Sequence, residues 1–161
     1  MSTSQNRLTK LVSGGQTGGD AGGLAAAVTL GLETGGWVPR GWRTETGPAP
    51  WLAQLGLKEH ASRSYVPRTR QNVGDSDGTF WIGNQDSPGG RLTLWTARHL
   101  RRPLFLIDWD ERLDEQKRAE FRVWLEGNTI EVLNVAGNRE SGCRGITQAT
   151  HDFIVKALQG D

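Results

Sequence analysis

The residues with the most chemical potential in this 161-residue chain run from Ser13 through Gly14, Gly15, Gln16, Thr17, Gly18 and Gly19 to Asp20. Glycine lets a ligand reach bare backbone, and the first N–H groups of a following helix are unpaired and carry partial positive charge. Such a turn suits an anion. It completes neither common nucleotide fingerprint, because there is no G-x-x-x-x-G-K-[ST] and no G-x-G-x-x-G with an acidic residue at the matching distance. A glycine-rich strand-to-helix turn without any ligand also fits the glycine content. Two later clusters have the same character: Pro88-Gly89-Gly90 with Thr93, and Asn138-Arg139-Glu140-Ser141. Arg68 and Asn72 stand four apart, on one face if their segment is helical.

These positions need elements to hold them. Leu8 to Ser13 reads as a strand and Asp20 to Leu30 as a helix, with Leu24, Ala27 and Val28 on a small-residue face suited to a sheet. Thr34 to Pro50 is dense in Gly, Pro and Trp, giving a short strand at Gly35 to Val38 and then a long loop. Leu52 to Leu57 reads as a helical turn, Leu57 to Glu59 as an edge strand and Ser64 to Asn72 as a helix. Gly78 to Gly83 is a buried strand, Gly90 to Arg101 a helix with Leu92, Leu94 and Trp95 apolar, and Pro103 to Asp108 another strand. A charged helix at Leu113 to Glu126, a sixth strand at Ile130 to Ala136 and an apolar-faced terminal helix capped by Gly160 complete the chain, after a polar leader at Met1 to Arg7. Strand and helix alternate, which predicts one α/β domain over 1–161, a Rossmann-like three-layer αβα sandwich on a mostly parallel sheet. All three polar clusters then follow strands, at the rim where ligands of open parallel sheets sit.

Composition narrows the partners. A net charge of +1 offers no global field for a nucleic acid polymer or an anionic membrane. One cysteine, Cys143, and three separated histidines, His60, His99 and His151, exclude a disulfide framework and argue against a zinc site, so no metal ligands are assigned. With no apolar leader core and no long apolar run, the expectation is a soluble cytoplasmic protein. Trp37, Trp42 and Trp51 fit either stacking on a flat ligand or packing on another subunit, whereas Trp81, Trp95 and Trp124 read as core. Asp20, Asp75, Asp77 and Glu140 are the weak candidates for catalytic acid and base, and they fit turn closure or helix capping as well.

In order along the chain, Ser13 to Gly18 with Asp20, Gly35-Gly36-Trp37-Val38-Pro39-Arg40-Gly41, Arg68-Thr69 with Asn72 to Thr79, Gly89-Gly90 with Thr93, and Leu133 to Ser141 resemble the circularly permuted YpsA branch of the SLOG superfamily. That family is often labelled putative molybdenum carrier. The resemblance implies a small-molecule anionic ligand: a molybdenum cofactor, molybdate or a nucleotide-like compound. Carried over by position, Gly14, Gly15, Gln16, Thr17 and Gly18 would cradle the anion, with Gly89, Gly90 and Thr93 as a second contact. Arg68 and Arg139 would act as guanidinium clamps, beside Asn72, Glu140 and Ser141. The resemblance also implies a homo-oligomer, dimer or tetramer. Ala21 stands where the family usually has arginine. Thr96 stands where the related LOG enzymes, which cleave nucleotide N-glycosidic bonds, carry a carboxylate. Carrier and nucleotide-processing N-glycosidase therefore both stay open, and turnover is not assigned.

Overall fold

Three residues, Lys10–Val12, form β1, and the chain winds outward from this strand in both directions. The computed structural model describes residues 7–159, so of the polar leader only Arg7 is included, and the expected cap Gly160 lies outside the described residues. After β1 come α1 (Gly19–Leu30), β2 (Glu33–Val38), a 3-10 helix (Pro50–Leu55), β3 (Leu57–Glu59), α2 (Tyr65–Gly74) and β4 (Gly78–Ile82). The chain continues through α3 (Pro88–His99), β5 (Leu104–Ile107), α4 (Glu115–Gly127), β6 (Val132–Gly137) and α5 (Ile146–Gln159). The six strands form one sheet in the order β3-β2-β1-β6-β4-β5, and every pairing is parallel.

Right-handed crossovers turn this order into layers. The β1-to-β2 and β5-to-β6 connections run one way across the sheet, and the β3-to-β4 and β4-to-β5 connections run the other. α1, α4 and α5 accordingly form one neighbouring set, and α2 and α3 a second. Glycine sets how closely α1 packs. A β-carbon at Gly22 would lie 2.4 Å from the Thr147 carbonyl oxygen, and one at Gly23 would lie 2.6 Å from Val135 Cγ1. α1 thus sits almost on the backbone of α5 and on β6, an approach that any side chain at these positions would block.

The other half of the core is aromatic. Phe80 of β4 lies 5.4 Å from Phe121 of α4 and 5.9 Å from Phe153 of α5, with Phe105 and Trp124 beside them. Each fully buried ring contributes about 1.5–3 kcal/mol. Two expectations of burial are corrected. Val28 is 56% exposed because the glycines and Leu24 take the inner face of α1, and Trp95 is 55% exposed, stacked 4.8 Å from His99 on the outside of α3. Trp81 is buried, as expected, and Trp124 is partly buried. Local signals place most element ends within two residues of expectation. Ser64, Ser87 and Asp114 cap α2, α3 and α4 through their side-chain oxygens. Among the described residues no helix is long and apolar enough to cross a membrane.

Candidate functional site

A cleft of about 600 Å³ opens at the carboxyl ends of β1, β4 and β6, where strand order reverses about β1. It is bounded by the loop after β1, by α2, by the start of α3 and by the loop after β6. Gln16, Arg68, Asn72, Thr93, Arg139 and Ser141 all line it, with Gly14, Gly89 and Asp20. Val66, Trp81, Leu92, Ala136 and Cys143 supply an apolar wall. Residues from four separate segments thus meet around one hollow.

The glycine loop is wired differently from a bare amide cradle. Gly15 N–H donates to Ser13 Oγ, Gln16 N–H to Asp20 Oδ2, Thr17 N–H to Gln16 Oε1, Gly18 N–H to Thr147 Oγ1 and Gly19 N–H to the Asn138 carbonyl. Five consecutive amides are already spent on protein acceptors. Gly15 points into the core against Leu52 and Val38, and Gly18 abuts the Asn138 carbonyl. Neither lines the cleft, and nor does Thr17, whose hydroxyl donates to Glu45 Oε2 and accepts the Glu140 N–H. At the start of α3, the Gly90 N–H is capped by Ser87 Oγ, so Gly89 is the glycine that faces the cleft.

What the loop builds instead is a seat for a buried ion pair. Arg68 reaches from α2 across Gly14, whose missing β-carbon would lie 1.6 Å from Arg68 Nη1. There Nη1 meets Asp20 Oδ2 at 3.4 Å, with Asp20 3% exposed. Burial raises the Asp20 carboxyl above its ordinary range, against the opposing pull of Arg68 and the Gln16 amide. Among the described residues Asp20 is the one carboxylate lining the cleft. Several polar groups around it keep hydrogen-bonding capacity. Gln16 Nε2 and Arg68 Nε are buried without a partner, the hydroxyl of the buried Thr93 bonds no described residue, and Asn134 uses only its Nδ2, on Thr79 Oγ1.

The remaining candidate residues hold the frame. Asn72 pairs with the backbone of Trp37, accepting its N–H at 2.8 Å and donating to its carbonyl at 3.0 Å, which locks α2 to β2. Asp75 accepts from Trp37 Nε1 and Gln71 Nε2 outside the cleft. Asp77 accepts the Glu131 and Val132 N–H groups at the entry to β6. Glu140 accepts the N–H groups of Gly145 and Thr147 and so caps the start of α5; these bonds hold its carboxyl below the usual range. Asn138 ties two rim loops together, accepting the Asn84 N–H at 2.6 Å and donating to Ser87 Oγ. Trp42 packs on the core from the long loop, and Trp51 is 61% exposed.

Sequence reasoning passed over three residues. Glu45 fastens the long loop across the rim through Thr17 Oγ1, the Ser141 N–H and its own N–H on Gln16 Oε1. These bonds, from Ser141 first and Thr17 second, lower its carboxyl pKa. Tyr65 lines the cleft one turn before Arg68, a spacing that puts the two on one helix face, and Arg43 joins it from the long loop with no local signal at all.

With this geometry in place, residues 11–158 match the model of the circularly permutated YpsA SLOG family. The chain belongs to that family. A crystal structure of a protein from Syntrophus aciditrophicus SB, named putative molybdenum carrier protein, superposes with a TM-score of 0.89 at 36% sequence identity, covering 95% of this chain and 96% of that one. No curated protein matches. In this YpsA SLOG chain Thr96 bonds the Leu92 carbonyl within α3 and does not line the cleft.

Proposed function

We propose that the protein binds and carries a small anionic ligand in this cleft, held through oxyanion groups by guanidinium, carboxamide and hydroxyl donors. The observation that carries the reading is the set of unspent donors converging there: Gln16 Nε2, Arg68 Nε, Thr93 Oγ1 and the Arg139 guanidinium. A buried polar group without a partner costs about 1–3 kcal/mol, so a cleft lined by two of them, on Gln16 and Arg68, has a standing affinity for a complementary guest. Molybdate, an oxygen-coordinated molybdenum cofactor or a nucleotide-like phosphate would satisfy them. The donor set suits the oxygens of an oxoanion rather than a bare cation, since the described residues hold no group of three His, Cys, Asp or Glu side chains. The molybdenum label of the Syntrophus protein supports the same choice.

Native mass spectrometry with metal analysis of freshly purified protein tests this, followed by thermal shifts with molybdate, phosphate, pterins and nucleotides. A saturable rise in Tm with one of them is expected. No shift with any of them would refute it. A second reading, N-glycosidic bond cleavage, draws on Asp20, a desolvated carboxyl facing the cleft. It works with that single carboxylate, because Asp75, Asp77 and Glu140 do not line the cleft. Release of free base from a nucleotide panel, abolished by Asp20→Asn, would establish it. We also place the protein in the cytoplasm, where its lone thiol Cys143 stays reduced, as a homo-oligomer that covers Trp51 and Trp95; light scattering reads the oligomer.

A further inference from the structure

We propose that Arg43, Arg68 and Arg139, gathered around the ring of Tyr65, form a subsite for two linked phosphoryl groups, so that the cleft selects diphosphates over single oxoanions. This rests on reading the cleft as a ligand pocket and adds which ligands it prefers. The three guanidinium carbons lie 5.0, 5.3 and 5.2 Å from the Tyr65 centroid. They come from the loop after β2, from α2 and from the loop after β6, so only the tertiary fold assembles them. Each pair is then no further apart than about 10 Å, close to the Debye length of ~10 Å at 0.1 M salt, and the like charges feel one another.

The protein's own anions leave this cluster under-compensated. Asp20 meets Arg68 through one nitrogen, and Arg68 Nε stays buried without a partner. Glu45 lies near Arg139, but its carboxylate accepts from Thr17 and Ser141. The Arg139 guanidinium makes no hydrogen bond or ion pair with any described residue and lies over the Tyr65 ring, while its backbone carbonyl accepts the Gly142 and Cys143 N–H groups. Arg43 is steadied by donating Nη1 to the Arg63 carbonyl at 2.6 Å, which leaves its other nitrogens free. An aromatic face attracts guanidinium groups and orders them, while their N–H edges remain available for bidentate bonds to phosphate oxygens. A single tetrahedral ion can bridge two such edges. The third, Arg43, is not among the residues lining the cleft but stands 5.0 Å from the ring of Tyr65, which does line it, so a second, linked phosphoryl group is what would engage it.

The test is titration calorimetry at fixed ionic strength with inorganic phosphate, molybdate and pyrophosphate, on the unmodified protein and on Arg43→Ala and Tyr65→Leu. Arg43 is exposed and Tyr65 half-buried, and circular dichroism checks that both variants fold. Pyrophosphate should bind the unmodified protein about tenfold or more tighter than phosphate, the worth of one added charge-assisted pair. Arg43→Ala should erase that advantage while changing phosphate affinity by less than about twofold, and Tyr65→Leu should lower pyrophosphate affinity more than phosphate affinity. Phosphate or molybdate binding with no preference for pyrophosphate overturns the diphosphate subsite and leaves the proposed function standing. So does an equal loss for both ligands in Arg43→Ala. No binding of any of the three, joined to a negative nucleotide panel, overturns both.

Discussion

Replacing Gly14 by Ala would evict Arg68 from its seat without touching either member of the Asp20–Arg68 pair. The new β-carbon would lie 1.6 Å from Nη1 and 2.9 Å from Asp20 Oδ2, whereas non-bonded atoms settle near about 3.5 Å, so the guanidinium must withdraw by roughly 2 Å. Gly14 is not among the positive-φ glycines, so the backbone itself tolerates alanine. The displaced arginine leaves Asp20 buried with no cation. Breaking a buried pair costs about 3–5 kcal/mol, and neutralising an ordinary Asp at pH 7 costs about 4 kcal/mol, which sets a ceiling. Because Arg68 can keep part of its attraction from further away, a loss of about 2–4 kcal/mol is expected, or roughly 5–12 °C in Tm. The sign with pH is the sharper test. Asp20 has a raised folded pKa, and losing Arg68 raises it further. Its cost is absent below about pH 4, where the carboxyl is protonated folded and unfolded alike, and grows as the pH climbs from there to the folded value. Urea denaturation at pH 7 and pH 4, in native and Asp20→Asn backgrounds, measures this. An equal penalty at the two pH values, or a full penalty in the Asp20→Asn background, would show that the uncompensated Asp20 charge is not the source of the loss.

Other perturbations probe other parts of the frame. Gly36 has φ 126° and its β-carbon would lie 2.1 Å from the Ser13 carbonyl oxygen, so Gly36→Ala should cost more than about 3 kcal/mol by denaturation or fail to fold. Asp77→Ala removes the acceptor of two backbone N–H groups at the entry to β6; solvent replaces part of it, and a loss of about 1 kcal/mol is expected in the same assay. The lowered pKa of Glu45 means that its strap is fully in place above about pH 4.5 and is lost as the pH falls through the folded value. Hydrogen exchange at Glu45 and Ser141 should therefore gain protection from the carboxylate at pH 7 that fades as the pH is lowered through the folded value, and Glu45→Gln should abolish that pH dependence.

The succession of elements was legible in the sequence because its signals are local. The run Gly78 to Ile82 is buried at every position, β3 spans the expected Leu57–Glu59, and the polar clusters do stand at strand ends. Apolar period and turn chemistry report on neighbours a few residues away, and the SLOG motifs added the family. Contacts between distant segments were beyond their reach. Only the fold sets β6 between β1 and β4, which brings Arg139 and Asn134 into the cleft beside Gln16. Only packing shows that Gly14 makes room for Arg68 and that the loop amides are claimed by Ser13, Asp20, Thr147 and Asn138. The gathering of Arg43, Arg68 and Arg139 on Tyr65 is of the same kind. Residue types along the chain determine which groups can donate, accept or carry charge. Which partner each one meets across dozens of residues is decided when helices and strands close on one another, since hydrogen bonds and ion pairs depend on distances of an ångström that no local pattern encodes.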